Sequence, residues 1–255
     1  MAGQIHATAV VDARASLGEG VVVGPYAVVG ADVVLGDATQ LHAHAMVLGP
    51  SSLGRACEIH SFAVVGGAPQ LKRKSADGAP SLATSLVMGD RNTVREHATL
   101  HRGSEGGVTR VGDDNLFMVG SHVAHDALVG SHVTLANGAQ LAGHVVVEDH
   151  ATFGGLSGVA QFVRIGESAF VAAGAMCERD VPPFVIVQGD RAKVRALNVV
   201  GLRRRGVPEP SIERLLAAYR RLFAGRETLA ASIAHVDRSD PFVARLLDAL
   251  VAAKA

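Results

Sequence analysis

Val21-Val22-Val23-Gly24-Pro25-Tyr26-Ala27-Val28-Val29-Gly30-Ala31-Asp32-Val33-Val34-Leu35-Gly36 carries a pattern that recurs at every sixth residue. A branched aliphatic stands at Val23, Val29 and Leu35, and a glycine follows each. The phase runs back through Leu17, Val11 and Ile5, and forward through Leu41, Val47, Leu53, Ile59 and Val65. Four residues beyond the aliphatic a small side chain is common, as at Ala27, Thr39, Ala45, Cys57 and Ala63. This spacing matches neither the helical period nor the two-residue alternation of one long strand. It matches a short strand plus a corner. Three such units close a triangular coil of about eighteen residues, and stacked coils make three parallel sheets. The aliphatic then points inward, the small residue fits the narrow interior, and glycine relieves the corner.

Two loops interrupt the repeat. Residues 67–87 form a polar excursion through Pro69-Gln70-Leu71-Lys72-Arg73-Lys74, with Pro80 near its end. A loop of that length inside a regular solenoid is usually functional. The period resumes at Met88, Val94 and Leu100, and residues 101–110 loop again through Arg102-Gly103-Ser104-Glu105-Gly106-Gly107. A second unbroken run then follows from Val111 through Phe117, Val123, Val129, Leu135, Leu141, Val147, Phe153, Val159 and Ile165 to Val171. Together the hexads amount to about eight coils.

The double proline of Asp180-Val181-Pro182-Pro183 is expected to stop the solenoid, because proline cannot donate to a ladder. Past a connector at Gly189-Asp190-Arg191 the periodicity turns helical. Ser211 is expected to cap a helix bearing Ile212, Leu215, Leu216, Tyr219, Leu222 and Phe223 on one face, closed by Gly225. A second helix is expected near Thr228, and a third with Asp240 as cap and Pro241 in its first turn. Residues 1–190 therefore read as a mainly β, parallel β-helix domain. Residues 191–255 read as a C-terminal α-helical bundle that covers one open end of the sheets.

Composition narrows the partners. Lys plus Arg and Asp plus Glu both number 24, so there is no net charge and nucleic acid is not the expected partner. Hydrophobic residues make up 48%, with no Trp, which suits thin regular packing. Cys57 and Cys177 do not make a disulfide framework and read as free thiols. No charged segment followed by an apolar run opens the chain, and no apolar run approaches the ~20 residues of a membrane span. A cytoplasmic protein is the expectation.

The chemistry concentrates at Ser121-His122-Val123-Ala124-His125-Asp126 and, eighteen residues after His125, at Gly143-His144. One coil apart, these positions stack. Three imidazoles and a glycine N–H then gather in one patch. A neutral imidazole can take a proton from a hydroxyl, Asp126 can orient it, and the Gly143 N–H can receive an oxyanion. Solvated corner histidines are the plain alternative. Zinc is another, since carbonic anhydrases on the same kind of repeat bind it with three histidines. Their motif has a His pair five residues apart, whereas the nearby spacings here are three (His122, His125) and six (His144, His150). Lys72-Arg73-Lys74 and Arg203-Arg204-Arg205 are short basic runs suited to phosphates or an acidic carrier protein. His101 and Arg102 are candidates for substrate contact by position.

The hexads, Pro69-Gln70-Leu71-Lys72, Gly89-Asp90-Arg91-Asn92, His101-Arg102-Gly103, His122-Val123-Ala124-His125-Asp126, Leu141-Ala142-Gly143-His144, Asp180-Val181-Pro182-Pro183 and Gly201-Leu202-Arg203-Arg204-Arg205-Gly206 occur in one order. That ordered set resembles the acyl-carrier-protein-dependent UDP-N-acetylglucosamine 3-O-acyltransferases, which perform the first step of lipid A synthesis. The resemblance covers essentially the whole chain. It implies a left-handed parallel β-helix, a homotrimer with sites between subunits, and transfer of a 3-hydroxyacyl chain from acyl carrier protein to UDP-N-acetylglucosamine. It implies no metal and no other cofactor. By the same resemblance His125 is the general base, Asp126 supports it, and Gly143 holds the oxyanion. Gln70, Lys72, His101, His122, His144 and Gln161 line the substrate sites, and Asn198, Arg204 and Arg205 mark the nucleotide and carrier end.

The chain departs from the family pattern at four places. The loop has no Asp between Gln70 and Leu71, Ala160 replaces a common His, and Val200 replaces a common acidic residue. Ala173 stands where members that take long acyl chains have Gly, so its methyl is expected to shorten the accepted chain. An acyltransferase for a 3-amino nucleotide sugar and a non-catalytic sugar-nucleotide-binding solenoid are the alternative readings.

Overall fold

Most strands of the coil are only two to four residues long. Such strands cannot stand alone and are held by their parallel neighbours one coil above and below. The computed structural model describes residues 4–71, 83–225 and 227–252. Its strands form sheets of 11, 9 and 8 strands, and up to Met176–Cys177 each strand pairs with the one three places along the chain. The chain is a left-handed parallel β-helix followed by helices. Register is strict: His122 stands over Gln140, and Gln140 over Gly158.

The expected inward residues are the core. Val23, Leu35, Leu41, Ile59, Leu100, Phe117, Leu135, Leu141 and Phe153 are all buried, and the small Ala27, Ala45, Cys57 and Ala63 fill the space between them. Some inward positions are polar and bond within the coil. Thr39 donates to the Gly54 carbonyl. Asn92 donates to the Gly112 carbonyl and accepts from Asn115 N, while Asn115 accepts from Val133 N.

The corners correct the role expected for glycine. The left-handed backbone falls three residues after the aliphatic, at Tyr26, Asp32, Ala38, His44, Asp126, His132, His144 and His150, mostly without glycine. Asp and His are among the residue types enriched in that region. The glycine directly after the aliphatic serves close approach instead. A Cβ on Gly36 would lie 2.5 Å from the Gly54 carbonyl carbon in the next coil.

Pro182 and Pro183 do not end the sheets. Val181 still bridges to Ile165, and Val185–Gln188 continues the 11-stranded sheet by pairing with Phe170–Val171. The prolines sit at a corner, where no ladder donor is needed, so an extra coil escaped the hexad count. Lys193–Leu197 then turns back antiparallel along Val185–Gln188. The strand before the first loop ends at Gly67 and strand resumes at Ser85 rather than Met88, and the second loop spans 102–107.

Among the described residues four helices follow: α1 (Val199–Arg204), α2 (Glu209–Phe223), α3 (Leu229–Ala234) and α4 (Pro241–Ala252). Asp240 caps α4 by accepting from Phe242 N at 2.9 Å, and Thr228 caps α3. Ser211 is not a cap. It lies inside α2, which starts after Pro208, and its hydroxyl donates to Asp240 at 2.8 Å. Leu202, Ile212, Leu215, Val243, Leu246 and Leu250 share a core with Phe184 and Leu197, which seats the helices on the last strands. Arg245 of α4 donates to Glu148 of the coil at 2.5 Å. Among the described residues no helix is long and apolar enough to cross a membrane.

The two positions of each corner should respond oppositely. Gly36→Ala should lower stability by about 1–3 kcal/mol, because backbone has to move. Ala38→Gly, at φ 58°, should be neutral or stabilising, because it removes a left-handed alanine. Denaturant titration of both variants checks this, and the reverse order contradicts it.

Candidate active site

His125 follows the inward Val123 by two residues and precedes the corner residue Asp126, whose φ is 59°. That backbone turns the Asp126 carboxylate back onto the imidazole. His125 Nδ1 and Asp126 Oδ2 are 2.9 Å apart, and His125 is only 8% exposed. With Nδ1–H donating to the carboxylate, Nε2 is left as the basic nitrogen.

Asp126 is itself fixed from the second loop. Ser104 N donates to both carboxylate oxygens at 3.0 and 3.1 Å, and Ser104 Oγ donates to Oδ2 at 2.5 Å. The Asp126 N–H donates to Thr109 Oγ1 at 2.9 Å. Burial pushes the carboxyl pKa up, but hydrogen bonds from Ser104 and His125 outweigh it and hold it below the usual carboxylate range.

Gly143 lies one coil on. A Cβ there would meet the His125 ring at 2.6 to 3.2 Å, so only glycine lets the imidazole pack so closely on this backbone. The Gly143 N–H donates no hydrogen bond among the described residues, and the fold does not consume it. His144, at a left-handed corner, meets the His125 ring edge-on at 5.2 Å and brings Nε2 within 3.6 Å of Asp126 Oδ2. His125, Asp126 and His144 thus place three metal-ligand-type atoms within 4.8 Å of one another. The Asp126 oxygens, however, are already engaged by Ser104 and His125.

His122 and His101 continue the patch. Thr99 stands over His122 in the ladder, and Thr99 Oγ1 lies 2.7 Å from His122 Nδ1. The His101 and His122 rings meet edge to face at 4.7 Å. Burial lowers the pKa of both, and for His101, where His122, His125 and Arg102 nearby add to it, the value falls to about 4. Both are therefore neutral at neutral pH.

A groove of about 650 Å³ opens from this patch. It runs along the outer face of the nine-stranded sheet, past Gln140, Gly158 and Met176, with Gln70 and Gln161 at its margins. Small Ala124, Ala142 and Ala160 keep it open.

The other expected residues stand elsewhere. Asn198, Arg204 and Arg205 line a second groove of about 450 Å³ with His132, His150, Ser168, Phe170 and Val200, on the 11-stranded sheet. Asn198 is fully engaged by the fold. Its Oδ1 accepts from Gly201 N at 3.0 Å to cap α1, and its Nδ2 donates to the Ser168 carbonyl at 2.9 Å. Arg205 bonds Ser168 Oγ at 3.0 Å and pairs with Glu167, while Arg204 is exposed. Ala173 is an exposed corner residue against Gly154 and is not in the lining of the first groove. Lys72 lies outside the described residues.

Arg102 is not placed for substrate. Its guanidinium donates to the carbonyls of Gly49 and Gly66, tying the loop to the coil below. Ser104, Thr109 and Thr99 were the residues sequence reasoning missed. The signal was present: the second loop lengthens one coil, so Thr99 stands over His122 rather than over a residue eighteen places on.

A family profile described as Udp N-acetylglucosamine O-acyltransferase, domain 2, matches residues 180–254. The acyl-(acyl-carrier-protein)–UDP-N-acetylglucosamine O-acyltransferase of Burkholderia mallei is 47% identical over 159 residues, which are 62% of this chain and 60% of that protein. The enzyme of the same name from Paracoccus denitrificans is 48% identical over 169 residues, 65% of this chain and 64% of that protein. The matched stretch thus spans less than two thirds of these curated relatives. The structural likeness reaches further. The UDP-N-acetylglucosamine acyltransferase of Campylobacter jejuni aligns with a TM-score of 0.90 and 33% identity, over 97% of this chain and 96% of that one. On this likeness along nearly the whole of both chains, the chain belongs to the UDP-N-acetylglucosamine O-acyltransferase family.

Proposed function

We propose that the protein transfers a 3-hydroxyacyl chain from acyl carrier protein to the 3-position of UDP-N-acetylglucosamine, the opening step of lipid A synthesis, in the cytoplasm. The observation that carries this reading is the His125–Asp126 pair packed on Gly143 at the head of an open groove. In the proposed step His125 Nε2 takes the proton of the sugar 3-hydroxyl as its oxygen attacks the thioester carbonyl. The oxyanion forms beside the Gly143 N–H. Collapse breaks the carbon–sulfur bond, and the protonated imidazole returns its proton to the leaving thiolate. No acyl-enzyme is formed. Asp126 fixes the imidazole and stabilises its cationic form, as the third member of a triad does.

The residues of the proposed nucleotide and carrier end, Asn198, Arg204 and Arg205, sit on a different face of the prism from His125. Two faces of one coil cannot close on one substrate. A neighbouring copy that turns its 11-stranded face toward the groove would bring them together, which supports a homotrimer with sites between subunits. In that setting Ala173 would meet the acyl end, and its methyl would favour a shorter chain. Asn198 would act through the α1 N-terminus that it caps. Gln70, Lys72, His101, His122, His144 and Gln161 are assigned to the sugar and acyl walls.

A mass-spectrometric transfer assay tests the reaction and the base together. 3-Hydroxyacyl carrier proteins of several lengths are offered with UDP-N-acetylglucosamine or its 3-amino counterpart. Wild type should acylate the 3-hydroxyl, and His125→Gln should lose roughly 10³-fold in rate while remaining folded. Acylation of the 3-amino sugar alone would reassign the acceptor, and unchanged activity in His125→Gln would remove it as the base.

Ser104→Ala should lower kcat roughly tenfold with little change in KM, because it frees the carboxylate that orients the base. It should also move the acid limb of the rate profile, since the Asp126 carboxyl loses its strongest donor. An unshifted profile would make Ser104 merely structural.

Buried His101 adds a stability prediction. Its folded pKa of about 4 lies below the ordinary 6.5, so the unfolded chain binds the proton first as pH falls. Its contribution is complete above about pH 6.5 and is lost as pH drops toward 4. Denaturation midpoints across that window should fall more steeply for wild type than for His101→Gln, and parallel curves would contradict the burial.

A further inference from the structure

We infer that His42, Glu58 and His60 form a divalent-cation site, two coils away from His125 and independent of the acyl-transfer centre. His42 and His60 directly follow the inward Leu41 and Ile59, which pair in the ladder, so one imidazole stands over the other. Their rings stack at 4.6 Å with 18° between planes. Glu58 Oε1 lies 2.8 Å from His42 Nε2 and 3.4 Å from His60 Nε2. All three donor atoms fall within 4.8 Å of one another.

This spacing suits coordination. Bonds of ~2.0–2.1 Å to a four-coordinate zinc ion put neighbouring ligand atoms about 3.3 Å apart. The Glu58–His60 separation already matches, and the His42–Glu58 separation needs to open by a few tenths of an ångström. The remaining nitrogen of His60 is also provided for. Nδ1 faces Glu96 Oε1 at 3.7 Å, and Arg95 Nε donates to Glu96 Oε2 at 3.0 Å. Metal-bound histidines ordinarily direct their second nitrogen to a carboxylate, which fixes the tautomer and frees the other lone pair. His42 and Glu58 are about two-fifths exposed, which leaves an entry path and room for water as fourth ligand.

Two imidazoles and a carboxylate favour zinc, cobalt or nickel over calcium or magnesium. The bound ion would clasp the coils of His42 and His60, and through Glu96 the coil after the first loop.

The test uses the full chain without a histidine tag, stripped with a chelator and titrated with Co²⁺ and then Zn²⁺. Roughly one Co²⁺ per chain should bind with the strong visible absorption of four-coordinate cobalt, be displaced by Zn²⁺, and raise the melting temperature. His60→Gln and Glu58→Gln should each weaken binding by at least about tenfold, with unchanged circular dichroism. His144→Gln, in the histidine cluster of the groove, should leave binding unchanged. Failure to bind at micromolar Co²⁺, binding that survives both His60→Gln and Glu58→Gln, or loss in His144→Gln would overturn the site.

Discussion

Register in the parallel ladder is the constraint on which everything else depends. Each two-residue strand is held only by the strands of the coils above and below, so a residue's neighbours are set by coil length. Where the coil is eighteen residues, Gly143 falls under His125 and His60 under His42. Where the second loop lengthens it, His122 falls under Thr99 and Ser104 reaches Asp126. Polar clusters that look scattered along the chain are columns in space.

The same constraint separates structure from chemistry. Inward positions accept only aliphatic, small or internally bonded residues such as Thr39, Asn92 and Asn115. Corner positions are freer, and the left-handed corner admits Asp126 and His144 without glycine. The proposed centre uses that freedom. A corner conformation turns Asp126 onto His125, and a loop inserted between coils supplies Ser104 to hold the carboxylate ionised. The loop therefore supports the proposed base directly, while Arg102 on the same loop anchors it to the coil through the Gly49 and Gly66 carbonyls.

Much of this was legible in the sequence, because a strict period of six exposes both the buried column and the coil length. The inward aliphatics and the His125–Gly143 contact follow from counting. What was not legible depended on contacts between coils of unequal length, or on positions where a residue has two uses. Pro182-Pro183 looks like a terminator but occupies a corner, so the final coil was missed. Ser211 looks like a cap but bonds Asp240 from within α2, because Pro208 already sets the helix start. Glycine after the aliphatic looks like a corner residue but marks where adjacent backbones crowd. The split of the expected site between two faces was equally invisible, since a linear motif carries no direction around the prism.

In the proposed reaction His125 and Gly143 together receive the reacting atoms of the acyl transfer. A crystal structure with UDP-N-acetylglucosamine bound measures this most directly. The sugar is expected in the groove of the nine-stranded sheet, its 3-hydroxyl oxygen about 2.6–3.2 Å from His125 Nε2 and its nucleotide extending toward Arg204 and Arg205 of a neighbouring copy. A sugar bound with its 3-hydroxyl away from His125, or a nucleotide held within the groove of one chain alone, would contradict it.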